Sequence, residues 1–333
     1  MAVTAFATGD SMAEKVWATE WIDASIDRSF FKRSGLIGTN PESAPIWQRN
    51  DLKNKAGDTI YLGEMEELTN AGITGDNLME GLEEEMLHYD DSVTIDQVRN
   101  AVRIEGAMTE QRTAQNLRSW SRRVLKNWMS NKIEYDCFTY LGTAGTRVLY
   151  GSGATTTATI TSSSKLDATR ISQCLVVAEE ATPEIRPVTV DGMEVFVLLA
   201  APEAMYDLRI SDTTLFVASL QYAMERGLKN PIFRNGELYW NGVVIHKHRY
   251  VPVASNWGVT SDLPGATNLF MGAHAGVIAF AKERIWKEKL FDYDNSPGVC
   301  VGTIWGFTKL VFNAEDSGLV TLRTYRTNVA ETT

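Results

Sequence analysis

Residues 83–141 read EEEMLHYDDSVTIDQVRNAVRIEGAMTEQRTAQNLRSWSRRVLKNWMSNKIEYDCFTYL, and the change of rhythm inside this stretch decides the fold class. In its first part Val98, Val102 and Ile104 alternate with Arg99, Arg103 and Glu105, the two-residue period of a strand, predicted here from Met86 through Glu105. In its second part, from Thr109 to Leu141, there is no glycine or proline. Leu117, Trp120, Val124, Trp128, Tyr135 and Phe138 recur there at helical spacing, which predicts one helix of about 50 Å at 1.5 Å per residue, with those side chains inward.

Upstream, residues 56–98 carry twelve carboxylates and no lysine or arginine, whereas residues 99–132 carry eight basic residues against two acidic ones. Glycines at 57, 63, 72, 75 and 81 punctuate the acidic part, which is too charged and too glycine-rich to bury a core of its own. Thr59 to Leu62 is the expected partner strand of a hairpin whose glycine-rich tip holds Glu80, Glu83, Glu84 and Glu85. A two-stranded hairpin is marginal alone in water and must lean on something else. The predicted support is a neighbouring copy, which would meet the tip with Arg118, Arg122 and Arg123 of the helix. Complementary charge sets register and partner choice more than affinity. Binding of divalent cations by Glu83–Glu85 is the less favoured alternative.

Further out, Ser11 and Glu14 form a capping box for a helix from about Ser11 to Phe31, with Val16, Trp17, Trp21 and Ala24 on one face and Gly35 as its stop. Leu36 to Asn54, with Pro41, Pro45 and Trp47, reads as an extended arm. Beyond the long helix, GSGATTTATITSSS (151–164) marks a low-complexity passage into a second domain. Asp167 caps a helix with Ile171, Cys174, Leu175 and Ala178 on one face and Pro183 beyond its end. Met193 to Ala200 is an apolar run suited to a strand covered on both sides, Pro202 opens a helix, and Asp212 caps another running to about Arg226. Strands are expected at Leu238–Tyr250, Leu269–Phe280, Val301–Asn313 and Gly318–Thr327, the last two joined by AEDSG. The irregular mixture is α+β.

A chain of 333 residues with 44% hydrophobic content divides into about two domains. Net charge -10 argues against sequence-specific nucleic-acid binding, and no stretch reaches the ~18 apolar residues of a membrane span. Cys137, Cys174 and Cys300 lie too far apart for a disulfide framework or a zinc site. Phosphate-loop, dinucleotide, zinc-protease and hydrolase motifs are absent. His246 and His248 alternate on a predicted strand, a two-ligand metal geometry whose plainer reading is an exposed strand face. His88 and His274 stand alone. Asp292, Asp294 and Asn295 open like a calcium loop but lack its closing glutamate, so turn chemistry explains them better. Trp120 and Trp128 read as core packing rather than a base-stacking pair. No catalytic residue, cofactor or metal is assigned, and the chain is not expected to be an enzyme.

The stretches YDDSVTIDQVRNAVRIEGAMTEQRTAQNLR (89–118), APEAMYDLR (201–209), GLKNPIFRNGELYWNGVVIH (227–246), FDYDNSPGV (291–299) and KLVFNAEDSGLV (309–320) occur in an order of parts that is similar to one known family. An arm, a two-stranded loop, a long helix, a mixed second domain and returning strands resemble the major capsid proteins of tailed bacteriophages, in particular the family first associated with the N-four-like podoviruses. The resemblance implies a Hong Kong 97 type fold. Its parts would be an N-terminal arm (1–52), an extended loop (53–105), a peripheral domain (106–150 and 291–333) with spine helix 109–141, and an axial domain (151–290). It implies a major capsid protein, assembling as hexamers and pentamers into the icosahedral head of a double-stranded DNA phage. A phage tail or other self-assembling virion protein is the alternative, and a metal-dependent enzyme using His246 and His248 a more distant one. The implied partners are further copies, a separate scaffolding protein, a portal protein at one vertex, a decoration protein and packaged DNA in nonspecific contact, with no membrane. The chain would be assembled in the host bacterial cytoplasm and reside in the virion, without N-terminal processing and without the lysine-to-asparagine cross-link of the fold's namesake.

Overall fold

The computed structural model describes residues 29–328 except 54, 67, 69, 113–116, 191, 212–235 and 237. The predicted helix from Asp212 and nearly all of that from Ser11 therefore lie outside the described residues. Where the chain becomes described, helix α1 (Phe30–Arg33) starts on Ser29, whose hydroxyl accepts the Lys32 N–H at 3.3 Å. It stops at the expected glycine. Leu36 N–H donates to Phe31 O at 2.8 Å and Gly35 N–H to Lys32 O at 3.1 Å, with Gly35 at φ +69°, the pair of bonds that satisfies a helix's last carbonyls.

Strands β1 (Ile37–Gly38) and β2 (Ile46–Arg49) follow, then the hairpin β3 (Thr59–Met65) and β4 (His88–Thr94), paired from Thr59 opposite Thr94 to Met65 opposite His88. The chain leaves this hairpin at Ile95 and enters another sheet as β5 (Asp96–Arg103), so the single strand expected from Met86 to Glu105 is two. Helices α2 (Ala107–Arg112) and α3 (Leu117–Gly142) flank residues 113–116. After β6 (Val148–Tyr150), α4 (Ala168–Glu179) is capped by Asp167, which accepts the Arg170 N–H at 2.8 Å. The residues α4 buries are Ile171, Cys174, Leu175 and Ala178, the predicted face.

The second half runs β7 (Val188–Val190), β8 (Met193–Ala200), α5 (Pro202–Ser211), β9 (Leu238–Trp240), β10 (Val243–Lys247), β11 (Val253–Trp257), β12 (Leu263–Met271), β13 (Gly276–Phe291), β14 (Ser296–Lys309), β15 (Val311–Phe312), β16 (Glu315–Asp316) and β17 (Leu319–Tyr325). Two further expected strands prove to be pairs. Asn241 and Gly242, at φ +46° and +79°, turn β9 into β10, and β12 and β13 belong to different sheets. β14 and β17 likewise part company. Between them β15 and β16 close on Asn313 and Ala314, both at positive φ, as a tight hairpin turn requires.

The eight-stranded sheet has the order β6-β17-β12-β8-β10-β9, with β11 paired to β12 and β7 to β8. At its centre β8 buries every side chain from Val195 to Ala200, as its unbroken apolar run predicts for a strand covered on both faces. The five-stranded sheet has the order β1-β2-β13-β14-β5, with β5 at its edge. One face of it carries Phe280, Trp286, Val299, Val301, Trp305 and Phe307 into the main core with Leu125, Met129, Ile133, Cys137 and Phe138 of α3. The other face, at its base, joins Val277 and Ala279 to Ile60, Leu62 and Val93 of the β3–β4 hairpin.

Candidate intersubunit surfaces

The hairpin is rooted where β3 turns Ile60 and Leu62 inward and Tyr61 and Gly63 outward. Past Met65 the apolar support ends. From residue 68 to 88 the described side chains are exposed apart from the half-buried Ile73. Glu80, Glu83, Glu84 and Glu85 are all in solvent, where Glu83 takes the Gly81 N–H at 2.7 Å and Glu84 the Asn70 N–H at 2.8 Å. The same loop bares Leu68, Leu78, Met79, Leu82, Met86 and Leu87, with Leu78 73% exposed. These apolar side chains accompany the expected carboxylates, in the clusters LME and EEEML.

The basic helix departs from expectation in two ways. Its buried positions are Ser121, Leu125, Met129, Ile133, Glu134, Cys137, Phe138 and Leu141, while Trp120, Val124 and Tyr135 are exposed and Trp128 half-buried. Two apolar stripes run along α3, both at helical spacing. The stripe with four-residue steps from Leu125 to Leu141 faces the core, so Trp120 is not the core residue predicted.

Arg118 and Arg122 are also committed within their own chain. Both hydrogen-bond Glu288 of β13, Arg122 through Nη2 at 2.9 Å, and the Trp286 indole donates to the same carboxylate at 3.3 Å. Burial pushes the Glu288 carboxyl up, but hydrogen bonds from Arg122 and Arg118 outweigh it and hold the group below its ordinary value. This clamp ties the amino end of α3 to the far end of the β13–β14 hairpin. Of the three predicted arginines, Arg123 is exposed.

The histidines are structural neighbours, not an exposed pair. His246 is fully buried, with its ring 5.9 Å from that of Phe30, whereas His248 lies beyond β10, 4.5 Å from Phe30 and stacked on Phe138 at 4.7 Å. Burial lowers the His248 pKa to about 4, with the charges of Arg249 and Arg33 adding to the effect. Its Nε2 lies 3.7 Å from Glu134 Oε2, and since the imidazole is neutral near pH 7 this is a polar contact rather than an ion pair. Burial raises the Glu134 carboxyl, which accepts the Phe30 N–H and so joins α1 to α3. His88 is exposed on β4, and His274, at φ +61°, stacks near Trp47.

Asp292, Tyr293 and Asp294, all at positive φ, form the tip joining β13 to β14, the turn role expected of them. Cys137 and Cys174 are buried, and burial pushes the Cys174 thiol up to about 12. A cleft of about 420 Å³ beside the hairpin root is lined by Glu64, Glu66, Glu179, Glu180, Glu184 and Arg186 among others. Among the described residues no group of three metal-ligating side chains converges.

Two sheets, a long helix and a hairpin with a bare, charged loop are the class of fold these features define. The family model described as phage capsid protein matches residues 5–143 and 140–328, and the chain belongs to that family. It is 27% identical to the major capsid protein of Pseudomonas phage KPP25, over 95% of this chain and 96% of that one. Among solved structures, the capsid of Ralstonia phage GP4 is 31% identical and superposes with a TM-score of 0.83, covering 99% of this chain and 100% of the other. The cyanophage Pam1 capsid, 22% identical with a TM-score of 0.76, covers 90% and 93% and shares the fold. The chain is a structural protein of a phage capsid with the Hong Kong 97 type of fold.

Proposed function

We propose that this chain is the repeating subunit of the icosahedral head of a tailed double-stranded DNA phage, assembling as hexamers and pentamers. The observation that carries the reading is the loop between β3 and β4, which exposes carboxylates and large apolar side chains together. A lone soluble chain rarely leaves such a surface bare, whereas a subunit covers it on a neighbour. Glu80 and Glu83–Glu85 engage cations of adjacent copies, Arg123 among them, while Arg118 and Arg122 hold the helix to its own sheet. Each exposed pair contributes only ~0.2–1 kcal/mol. A closed shell repeats the contact in every copy, so weak links add up yet stay correctable during assembly.

The same proposal includes a division into an N-terminal arm, the extended loop, a peripheral domain around the five-stranded sheet and an axial domain around the eight-stranded one. By strand pairing β13 goes with the former and β17 with the latter. It further includes a separate scaffolding protein, a portal protein at one vertex, a decoration protein, nonspecific contact with packaged DNA, and assembly in the host cytoplasm. Electron microscopy of the purified protein tests it: closed shells are expected, and tubes or rings would favour a tail protein instead. Replacing Glu83, Glu84 and Glu85 by lysine should leave soluble monomers and no shells.

A further inference from the structure

We propose that the carboxyl half of the outer side of α3, together with the end of α1 and the turn after β10, is the surface that meets nucleic-acid phosphates. The inference rests on the contact with packaged DNA included in the reading above, and names the side chains that make it. In a chain of net charge -10, residues 29–41, 111–133 and 238–261 contain two, six and two basic residues and no aspartate or glutamate. The fold brings these three segments together. Phe30 of α1 donates its N–H to Glu134 of α3, the Phe30 ring lies 4.5 Å from that of His248, and Tyr250 meets Tyr135 edge to face at 5.9 Å. A polyanion repelled by the acidic remainder of the molecule finds its opening where they meet.

Along this half of α3 the exposed side chains are Asn127, Asn131, Tyr135 and Thr139, in steps of four, with Tyr140 beside the last. They form a strip of about 18 Å at 1.5 Å per residue, and every one of them ends in an amide or a hydroxyl. The two carboxylates of this half are out of play. Glu134 is buried, and burial raises its carboxyl; Asp136 is half-buried and paired with Lys132 at 2.6 Å. Arg33 and Arg249 supply the charge. Both are exposed, and both act on the same spot from either side, since their charges lower the His248 ring and the Glu134 carboxyl alike. Arg249 is set in place by Tyr250, with its guanidinium 4.6 Å over the ring and Nη2 2.7 Å from the hydroxyl. A guanidinium held this way presents its remaining N–H groups to phosphate oxygens.

The occupant follows from what the strip lacks. No large aliphatic side chain is exposed on it, so Leu78, Met79 and Leu82 of the carboxylate-rich loop would gain no cover here. The amino half of α3, where Trp120 and Val124 are exposed beside Arg123, suits that loop better, and Arg123 is therefore left out of this surface. A flat row of neutral donors flanked by two guanidiniums fits a sugar-phosphate backbone held weakly and without regard to sequence.

The test is an arginine footprint. Full-length protein is treated with phenylglyoxal in the presence and absence of a duplex of random sequence, and the modified peptides are read by mass spectrometry. Arg33 and Arg249 should lose reactivity when DNA is present, while Arg186, exposed in the acidic cleft, should keep it. Protection of neither, or of Arg99 and Arg103 on β5 alone, overturns the proposal. Arg33→Gln with Arg249→Gln should weaken duplex binding about tenfold and flatten the slope of log affinity against log salt by about 1.8, since each lost phosphate contact removes about 0.9. An unchanged slope overturns it too, as does normal DNA binding with lost shell yield, which would put a protein on the strip. Should the variant misfold by circular dichroism, the footprint of the ordinary chain decides alone. Shells that form from a chain showing no such protection sink this inference and leave the shell reading standing. Tubes in place of shells sink that reading, and the footprint still judges this one.

Discussion

Strand β8 and the loop between β3 and β4 are both rich in leucine, methionine and other apolar side chains, yet they meet opposite fates. Within β8, Val195 through Ala200 are buried between β12 and β10, all by one chain. In the loop, Leu78, Met79, Leu82 and Met86 stand in solvent among carboxylates. Apolar content is therefore a poor guide to where a chain's own core lies. Interleaved charge and glycine mark the apolar residues that the chain's own core leaves bare.

The comparison breaks most visibly at Val197, fully buried in β8 between Met271 and Val244. Val197→Asp should cost more than about 4 kcal/mol and give insoluble protein, because a lone charge there has no partner; soluble, folded protein by circular dichroism would mean the sheet is less covered than it is. Next, Glu288→Gln should cost about 2–3 kcal/mol in denaturant melts by unfastening Arg118 and Arg122 from β13.

A smaller effect comes from pH. His248 has its pKa lowered to about 4, so between the ordinary value of 6.5 and that pH the unfolded chain binds a proton that the folded one refuses. Stability contributed by the neutral ring is thus complete above pH 6.5 and falls on acidification, by up to about 1.4 kcal/mol per pH unit inside the window. Glu134, whose pKa is raised, works in the other direction, favouring the fold at low pH and losing that favour as pH rises through its folded value. Melting midpoints from pH 7 to 4.5 should decline, and His248→Asn should flatten the decline; an unchanged slope would assign it elsewhere. Smallest for the fold and largest for assembly, replacement of residues 68–86 by a glycine-serine linker should leave the melting midpoint within ~2 °C and abolish shells. A large loss of stability would show that the loop supports its own chain after all.

Local signals carried much of this into the sequence. Asp167 with its face of Ile171, Cys174, Leu175 and Ala178, the apolar run of β8, and the stop at Gly35 each depend on neighbours within a few residues. Asn241-Gly242 was an equally local sign of a turn between β9 and β10 that the strand prediction overran. What stayed hidden is non-local. Which of two stripes on α3 faces inward depends on sheets formed more than a hundred residues later. The clamp joins Arg122 to Glu288 across 166 residues, and a hydrogen bond joins Arg103 to Ser296 across 193. The loop's exposed carboxylates were legible, but the apolar side chains exposed among them were not.

Strand β5 closes the five-stranded sheet and presents an unpaired edge to solvent. Such a margin invites strand addition from another molecule, which for a protein made in great numbers means runaway ribbons. Two copies meeting margin to margin about Ala101 would set Arg99 of each opposite Arg103 of the other, like charges face to face twice over. That route is penalised by the primary structure itself, and growth is steered to broader surfaces, where successive copies can tilt and a finite, closed particle is the natural end point.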